Sequence, residues 1–250
     1  AKNKLAAFIE LTKPRITTLI LISTALGYYL GNNEAMDYMN FFYTMLGTAL
    51  LSGGAGSINH YIEKDLDKLM DRTKSRPIPA GIISSDIALY FGVIQSSIGF
   101  CVLWLFVNSL TAILGFITIA FYLFVYTPLK KITWLNTTIG AIPGAMPTLG
   151  GWAASANALN PNAWILFAIL FFWQHPHFYA IALMCKEDYK KAGFKMLPAM
   201  ENESHRTNRQ IIWHAFLLIP VSLFFVVTGV LGSFYFWGAF ILGTIYLLSS

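Results

Sequence analysis

Charge is scarce in this 250-residue chain: Asp, Glu, Lys and Arg make up 12% of it, against about a quarter of an ordinary soluble domain. That scarcity excludes a water-soluble globular protein. Cysteine is nearly absent as well, with Cys101 inside an apolar run and Cys185 at the end of another. Two isolated thiols build neither a disulfide framework nor a thiolate metal site, so both read as packing residues. No small-residue cleavage pattern follows the first apolar run, so that run is expected to stay as a helix rather than leave as a signal peptide.

What the chain has in abundance is apolar side chain: 56% hydrophobic and 16% aromatic residues, with a mean hydropathy of +0.58. Runs of roughly bilayer-crossing length can be read at 15–31, 40–62, 86–107, 110–126, 134–154, 163–185, 211–231 and 234–250. The expectation is an all-α, polytopic transmembrane bundle of eight spans, forming one domain over 1–250. The bases support this count, because Lys and Arg gather on the inner side of inserted helices. All seventeen fall in alternate connections: Lys2, Lys4, Lys13 and Arg15 first, then Lys64 to Arg76, then Lys130 and Lys131, then Lys186 to Arg209. Around 31–39 there are only Glu34 and Asp37, and the turns near 108, 155–162 and 232 carry no charge. The N-terminus is therefore expected inside. The net charge of +5 is placed for anionic lipid headgroups or an anionic substrate, not for nucleic acid.

One inner connection opens with NHYIEKDLDKLMDRTKSRP. On a helix, Asn59, Glu63, Asp67 and Asp71 fall four apart and line one face, with about 6 Å of rise between neighbours. Hard oxygen ligands of this kind suit Mg²⁺, which binds through a carboxylate or two together with the oxygens of a phosphorylated substrate. Arg72 and Arg76 add forked donors that match phosphate. The bland alternative is a solvated, self-paired charge run. Against it, Asn59 lies at the inner end of a span, where a polar side chain is costly, and the acids keep its register. A diphosphate at a membrane surface suggests an isoprenoid donor, whose allylic cation would be steadied by aromatic faces such as Tyr61, Tyr122 and Tyr126.

The sixth run carries FFWQHPHFYAIALMCKEDY, with Trp173, Gln174, His175, Pro176 and His177 near its middle. Pro176 is expected to kink or break the helix. His175 and His177, two apart, do not share a helix face. Either the histidines merely bond to neighbours, or one orients a planar acceptor or handles a proton.

Together with LTKPRIT near the start and YTPLKKITWLNTTIGAIPGAMPTLGGW in the middle, these motifs resemble the UbiA-type intramembrane prenyltransferases, and among them the branch that farnesylates heme. The resemblance covers nearly the whole chain. It implies a nine-helix bundle, of which the last helix is expected to be missing here. It also implies Mg²⁺-dependent transfer of farnesyl from farnesyl diphosphate to a vinyl group of heme b, with water addition, in a bacterial inner membrane or a mitochondrial inner membrane. Metal ligands then map onto Asn59, Glu63 and Asp67, with Glu63 a departure from the family's aspartate, and Asp71 counted with them as catalytic. Arg72, Arg76, Lys130, Lys131 and Lys186 are expected around the diphosphate. His177 first, then His175, Trp173, Tyr61 and Tyr126, are expected around heme or the prenyl chain. The connections at 63–85 and 186–210 are expected to cap the site from the inner side. Where related quinone-type enzymes carry a second pair of spaced aspartates near the sixth run, this chain has His177 and, later, Glu187 and Asp188, a pattern that does not match a second metal site of two spaced aspartates. Two rivals stay open: prenylation of a quinone precursor or other aromatic acceptor, and a heme-binding or transporting membrane protein. Self-association, or association with downstream heme-processing proteins, is also left open.

Overall fold

The computed structural model describes residues 3–32 and 35–250, so the expectations resting on Lys2 and Glu34 fall outside the described residues. Among them every regular element is helical. A short helix α1 (Lys4–Leu11) leads into α2 (Pro14–Gly31), then α3 (Tyr38–Ile62) and a single turn α4 (Lys64–Asp67). Next come α5 (Ser85–Phe106) and α6 (Ser109–Ala120), which runs through a π-helical segment (Phe121–Tyr126) into α7 (Thr127–Leu129). They are followed by α8 (Asn136–Ala156), α9 (Pro161–Met184), α10 (Lys186–Lys191), α11 (Leu197–Met200), α12 (His205–Val227) and α13 (Ser233–Ser249).

The helix starts follow local chemistry. The Asp37 carboxylate accepts from the amides of Met39 and Asn40, both at 3.0 Å, and so caps α3. Asn108 caps α6 through Thr111 N–H at 2.8 Å, and Asn160, followed by Pro161, caps α9 through Ala163 N–H at 3.2 Å. Each satisfies a donor that a helix start leaves orphaned.

Eight long helical segments stand at the positions expected for spans. Four of them, Ser85–Phe106, Ser109–Leu129, Pro161–Met184 and His205–Val227, are long and apolar enough to cross a membrane. The other four, α2, α3, α8 and α13, either carry glycine, threonine and tyrosine that lower their hydropathy or, for α13, reach only 17 residues. Composition alone thus supports four of the eight expected spans. The outer surface is apolar: Ile22, Ile94, Phe116, Phe124, Trp237 and Leu242 all lie exposed, as for a protein whose solvent is lipid.

Backbone contact holds the bundle together. Along α3 and α5 a Cβ added at Gly92 would lie 2.8 Å from the Gly54 carbonyl oxygen, and one at Gly99 would lie 2.8 Å from that of Gly47. These two helices therefore meet main chain to main chain, the packing that small residues give where no hydrophobic effect drives association. Gly27 and Gly151 play the same part between α2 and α8, each facing the other helix's backbone at Thr148 and Thr24.

Candidate active site

The helical spacing of the acidic motif is realised as far as Asp67. The amides of Glu63 and Asp67 donate to the carbonyls of Asn59 and Glu63 at 2.9 and 2.8 Å, carrying the turn across the end of α3 into α4. All three side chains are buried, with Asn59 1%, Glu63 6% and Asp67 0% exposed. A buried carboxylate needs a partner, and each of the three positions has a base from a different part of the chain. Lys13 Nζ donates to Asn59 Oδ1 at 2.5 Å, Lys130 Nζ to Glu63 Oε1 at 2.7 Å, and Arg76 Nη1 to both Asp67 oxygens at 2.8 and 2.9 Å.

Lys13 reaches Asn59 through an unusual backbone. It sits between α1 and α2 with φ +49°, in the left-handed region that side-chain-bearing residues seldom adopt. The hinge presses on α3 where Gly53 and Gly56 lack side chains, a Cβ at Gly56 falling 3.1 Å from the Leu11 carbonyl oxygen. Burial pushes the Lys13 ammonium down to about 7, with Arg76 and Lys130 acting in the same direction and Glu63 and Asp67 opposing. At Lys130 burial also acts downward, but Glu63 and the two neighbouring tyrosines outweigh it and hold the ammonium above its ordinary range. Burial favours the neutral form of Glu63, yet Lys130 and then Lys13 bring its carboxyl below the usual value.

The π-helical turn completes this wall. It widens the helix by a residue, so that Thr127 Oγ1 donates to the Tyr122 carbonyl five residues back at 2.8 Å and also accepts from Asn59 Nδ2 at 3.2 Å. Tyr122 and Tyr126 stack at 5.7 Å, and Lys130 Nζ lies 4.8 Å from the Tyr126 ring. Tyr126 also lines a cavity of about 150 Å³ with Thr137, Gly140, Phe178, Ala182 and Tyr189. A larger cavity of about 460 Å³, by Tyr28, Met36 and Leu231, lies where α2 ends and is lined, among the described residues, by uncharged side chains.

Several expected members lie elsewhere. Asp71 does not extend the stripe: beyond Asp67 the chain folds into turns, closed by Thr73 Oγ1 on the Asp67 carbonyl at 2.9 Å. Asp71 is exposed and paired with Lys74 at 2.7 Å and Lys191 at 2.6 Å. The Lys191 hydrogen bond first, then that of Lys74, brings its carboxyl down to about 2. Arg72 and Lys131 are exposed, and Lys186 Nζ is spent on the Glu201 carbonyl at 2.6 Å. Tyr61 lies under Lys64, 4.5 Å from its Nζ. Of the five bases expected at the phosphate site, Arg76 and Lys130 are the two that meet the buried acids. Lys13 belongs with them, and its position before Pro14 in LTKPRIT was the available signal.

The two long connections, after α4 and after α9, interlock. Asp188 accepts the backbone amides of Asp71 and Arg72, both at 3.1 Å, while Met70 packs with Tyr189, Ala192, Phe194 and Met196. Asp188 therefore braces the first loop, and Glu187 pairs with Lys190 at the surface.

Helix α9 stays helical through Pro176, so of the expected kink or break the break does not occur. Its histidines part as their spacing requires. Trp173 and His177 stack at 5.2 Å on the exposed side, whereas Gln174 and His175 are buried. His175 is stacked at 3.8 Å on His214 of α12, a residue that no sequence motif marks.

Among the described residues no three His, Cys, Asp or Glu side chains come together as a metal set. The buried donors are two carboxylates and one amide oxygen, hard ligands few enough to suit Mg²⁺ arriving with substrate oxygens.

The UbiA prenyltransferase family model matches residues 20–250. A protein named protoheme IX farnesyltransferase from Solibacter usitatus is 48% identical, covering 97% of this chain and 86% of that protein. Another of that name from Koribacter versatilis is 40% identical, covering 95% and 77%. Among solved structures, digeranylgeranylglyceryl phosphate synthase superposes with a TM-score of 0.81 at 20% identity, covering 98% of this chain and 86% of that one. A UbiA homologue from Archaeoglobus fulgidus bound to DMAPP and Mg²⁺ gives 0.77 at 17%, covering 95% and 86%. Sequence likeness over nearly the full length and the same helical fold converge on one assignment: the chain belongs to the UbiA prenyltransferase family.

Proposed function

We propose that this chain is an integral membrane prenyltransferase that moves a farnesyl group from farnesyl diphosphate to a vinyl group of heme b, with addition of water, to give heme O. The observation that carries this reading is the burial of Asn59, Glu63 and Asp67 against three bases at one end of an apolar bundle, in a chain 48% identical to a protein named for that transfer. All eight long helices would cross the bilayer, with the N-terminus, the acidic site and both capping loops on the cytoplasmic or matrix side, as the alternation of bases requires.

In this reading Asn59, Glu63 and Asp67 would hold Mg²⁺, which when bound neutralises diphosphate charge and so eases its departure. The DMAPP and Mg²⁺ in the A. fulgidus homologue support that part. Arg76 and Lys130 turn from the acids they hold, and Lys13 from the Asn59 amide oxygen, to the phosphate oxygens, where charge grows as the allylic C–O bond breaks. Tyr122 and Tyr126 present ring faces to the prenyl cation and keep bulk water from it. The vinyl carbon takes the allylic carbon, and water then adds to the cation left beside the porphyrin, releasing a proton. Incubation with heme b, Mg²⁺ and farnesyl diphosphate should yield a product heavier by one farnesyl and one hydroxyl group on mass analysis. Diphosphate release with a phenolic acceptor but not with heme would replace this reading with the quinone-type one.

A further inference from the structure

The five histidines differ in what holds their ring nitrogens. His205 pairs with Glu203 at the surface at 2.7 Å. His60 is buried at the inner end of α3, its Nδ1 enclosed and unpartnered. His177 lies exposed over Trp173 with neither nitrogen bonded among the described residues. His175 is satisfied twice, at the Phe171 carbonyl (2.8 Å) and at Thr138 Oγ1 (3.3 Å).

His214 is different. Its Nδ1 lies 2.7 Å from the Gln210 carbonyl oxygen, and a carbonyl only accepts, so the ring proton is on Nδ1 and Nε2 carries a bare lone pair. No partner for Nε2 exists among the described residues. The ring cannot swing away, because His175 lies flat against it at 3.8 Å and 9°, with Phe172 beside it at 6.0 Å. A fixed tautomer, a held ring and an open Nε2 are what a metal-ligating histidine needs from its surroundings. The position is nine residues into α12, roughly 13 Å of helix rise from its start, and the ring is half-buried.

We propose that His214 Nε2 ligates the iron of the heme acceptor and that His175 is its positioning residue. This rests on the reading of the acceptor as heme b. The imidazole lone pair forms the Fe–N bond, and because Nε2 is already unprotonated no proton has to leave and no electron is transferred.

The full-length protein in lipid nanodiscs, titrated with hemin and then reduced, reads the ligand directly. The wild type should give a shifted Soret band and, in the ferrous form, an iron–histidine stretching band in resonance Raman that moves on ¹⁵N-histidine labelling. His214→Ala should lose both, and added imidazole should restore them. His175→Leu should weaken heme binding roughly tenfold while keeping the band, and His177→Ala should change neither. A wild type that binds heme without a histidine band, or loss of the band in His177→Ala rather than His214→Ala, overturns the proposal alone. A wild type that binds no heme overturns the acceptor reading and this proposal together. If His214→Ala fails to fold, the labelled wild-type band and its persistence in His60→Ala, His175→Leu, His177→Ala and His205→Ala decide the matter, because only His214 then remains.

Discussion

Asp67 and Asp71 are the same residue type four positions apart, yet their surroundings differ completely. Asp67 is 0% exposed and held by Arg76, whereas Asp71 stands in solvent between two lysines. Removing one partner of a buried pair strands the other, at about 3–5 kcal/mol; exposed pairs are worth little. Asp67→Asn, which keeps the shape, should abolish heme farnesylation, while Asp71→Ala should leave turnover within about twofold; product mass per unit time checks both. Lys13 gives the pH dependence. Its ammonium titrates near 7 instead of 10.5, so its attraction for diphosphate is complete below 7 and fades as pH rises through it. KM for farnesyl diphosphate should climb above pH 7 by up to about tenfold per unit, and Lys13→Arg should flatten that rise. The linkage runs the other way for stability of the substrate-free protein. Between 7 and 10.5 the unfolded chain binds more protons at this residue, so stability increases with pH across that window. At this scale the sequence disclosed Asn59, Glu63 and Asp67, because a period of four is visible in one dimension. It hid Lys13 as a partner, because 46 residues separate it from Asn59 and only the left-handed hinge brings them together.

Elements decide whether these residues converge. The C-terminal end of α3 is placed by its crossing with α5, where Gly54 and Gly92 let the two backbones touch. Gly54→Leu should wedge the helices apart at a cost of about 1–3 kcal/mol, lowering the thermal midpoint in detergent and raising KM for the diphosphate substrate as Glu63 and Asp67 move. Gly238→Leu, on α13 where a side chain meets open space, should change neither measurement. The glycine-rich runs announced close helix contact in the sequence without saying which helix each would meet. The π-helical turn at Phe121–Tyr126 was not announced at all, since FYLFVY fits an ordinary helix equally well; its extra residue is fixed by the tertiary bond between Thr127 and Asn59.

Across the whole molecule, the alternation of the bases is legible in the sequence because it is a property of composition. How the two long loops meet depends instead on pairings between residues more than a hundred positions apart, such as Asp71 with Lys191. Asp188 is the main tie, since one carboxylate takes two amides of the first loop and its backbone belongs to the second. Because that first loop also carries Arg76, slackening the tie should let Arg76 leave Asp67 more often, without touching either residue. Asp188→Ala should therefore raise KM for farnesyl diphosphate several-fold with little change in kcat, and trypsin should cut faster after Lys68 and Lys74. Farnesyl diphosphate with Mg²⁺ should slow that cleavage in both proteins, because phosphate oxygens give Arg76 and Lys130 a common anchor on which the loops close. Equal cleavage rates in the variant and the wild type would mean that Met70 and its apolar neighbours on the second loop hold the cap by packing alone, and that the carboxylate serves only its local amides.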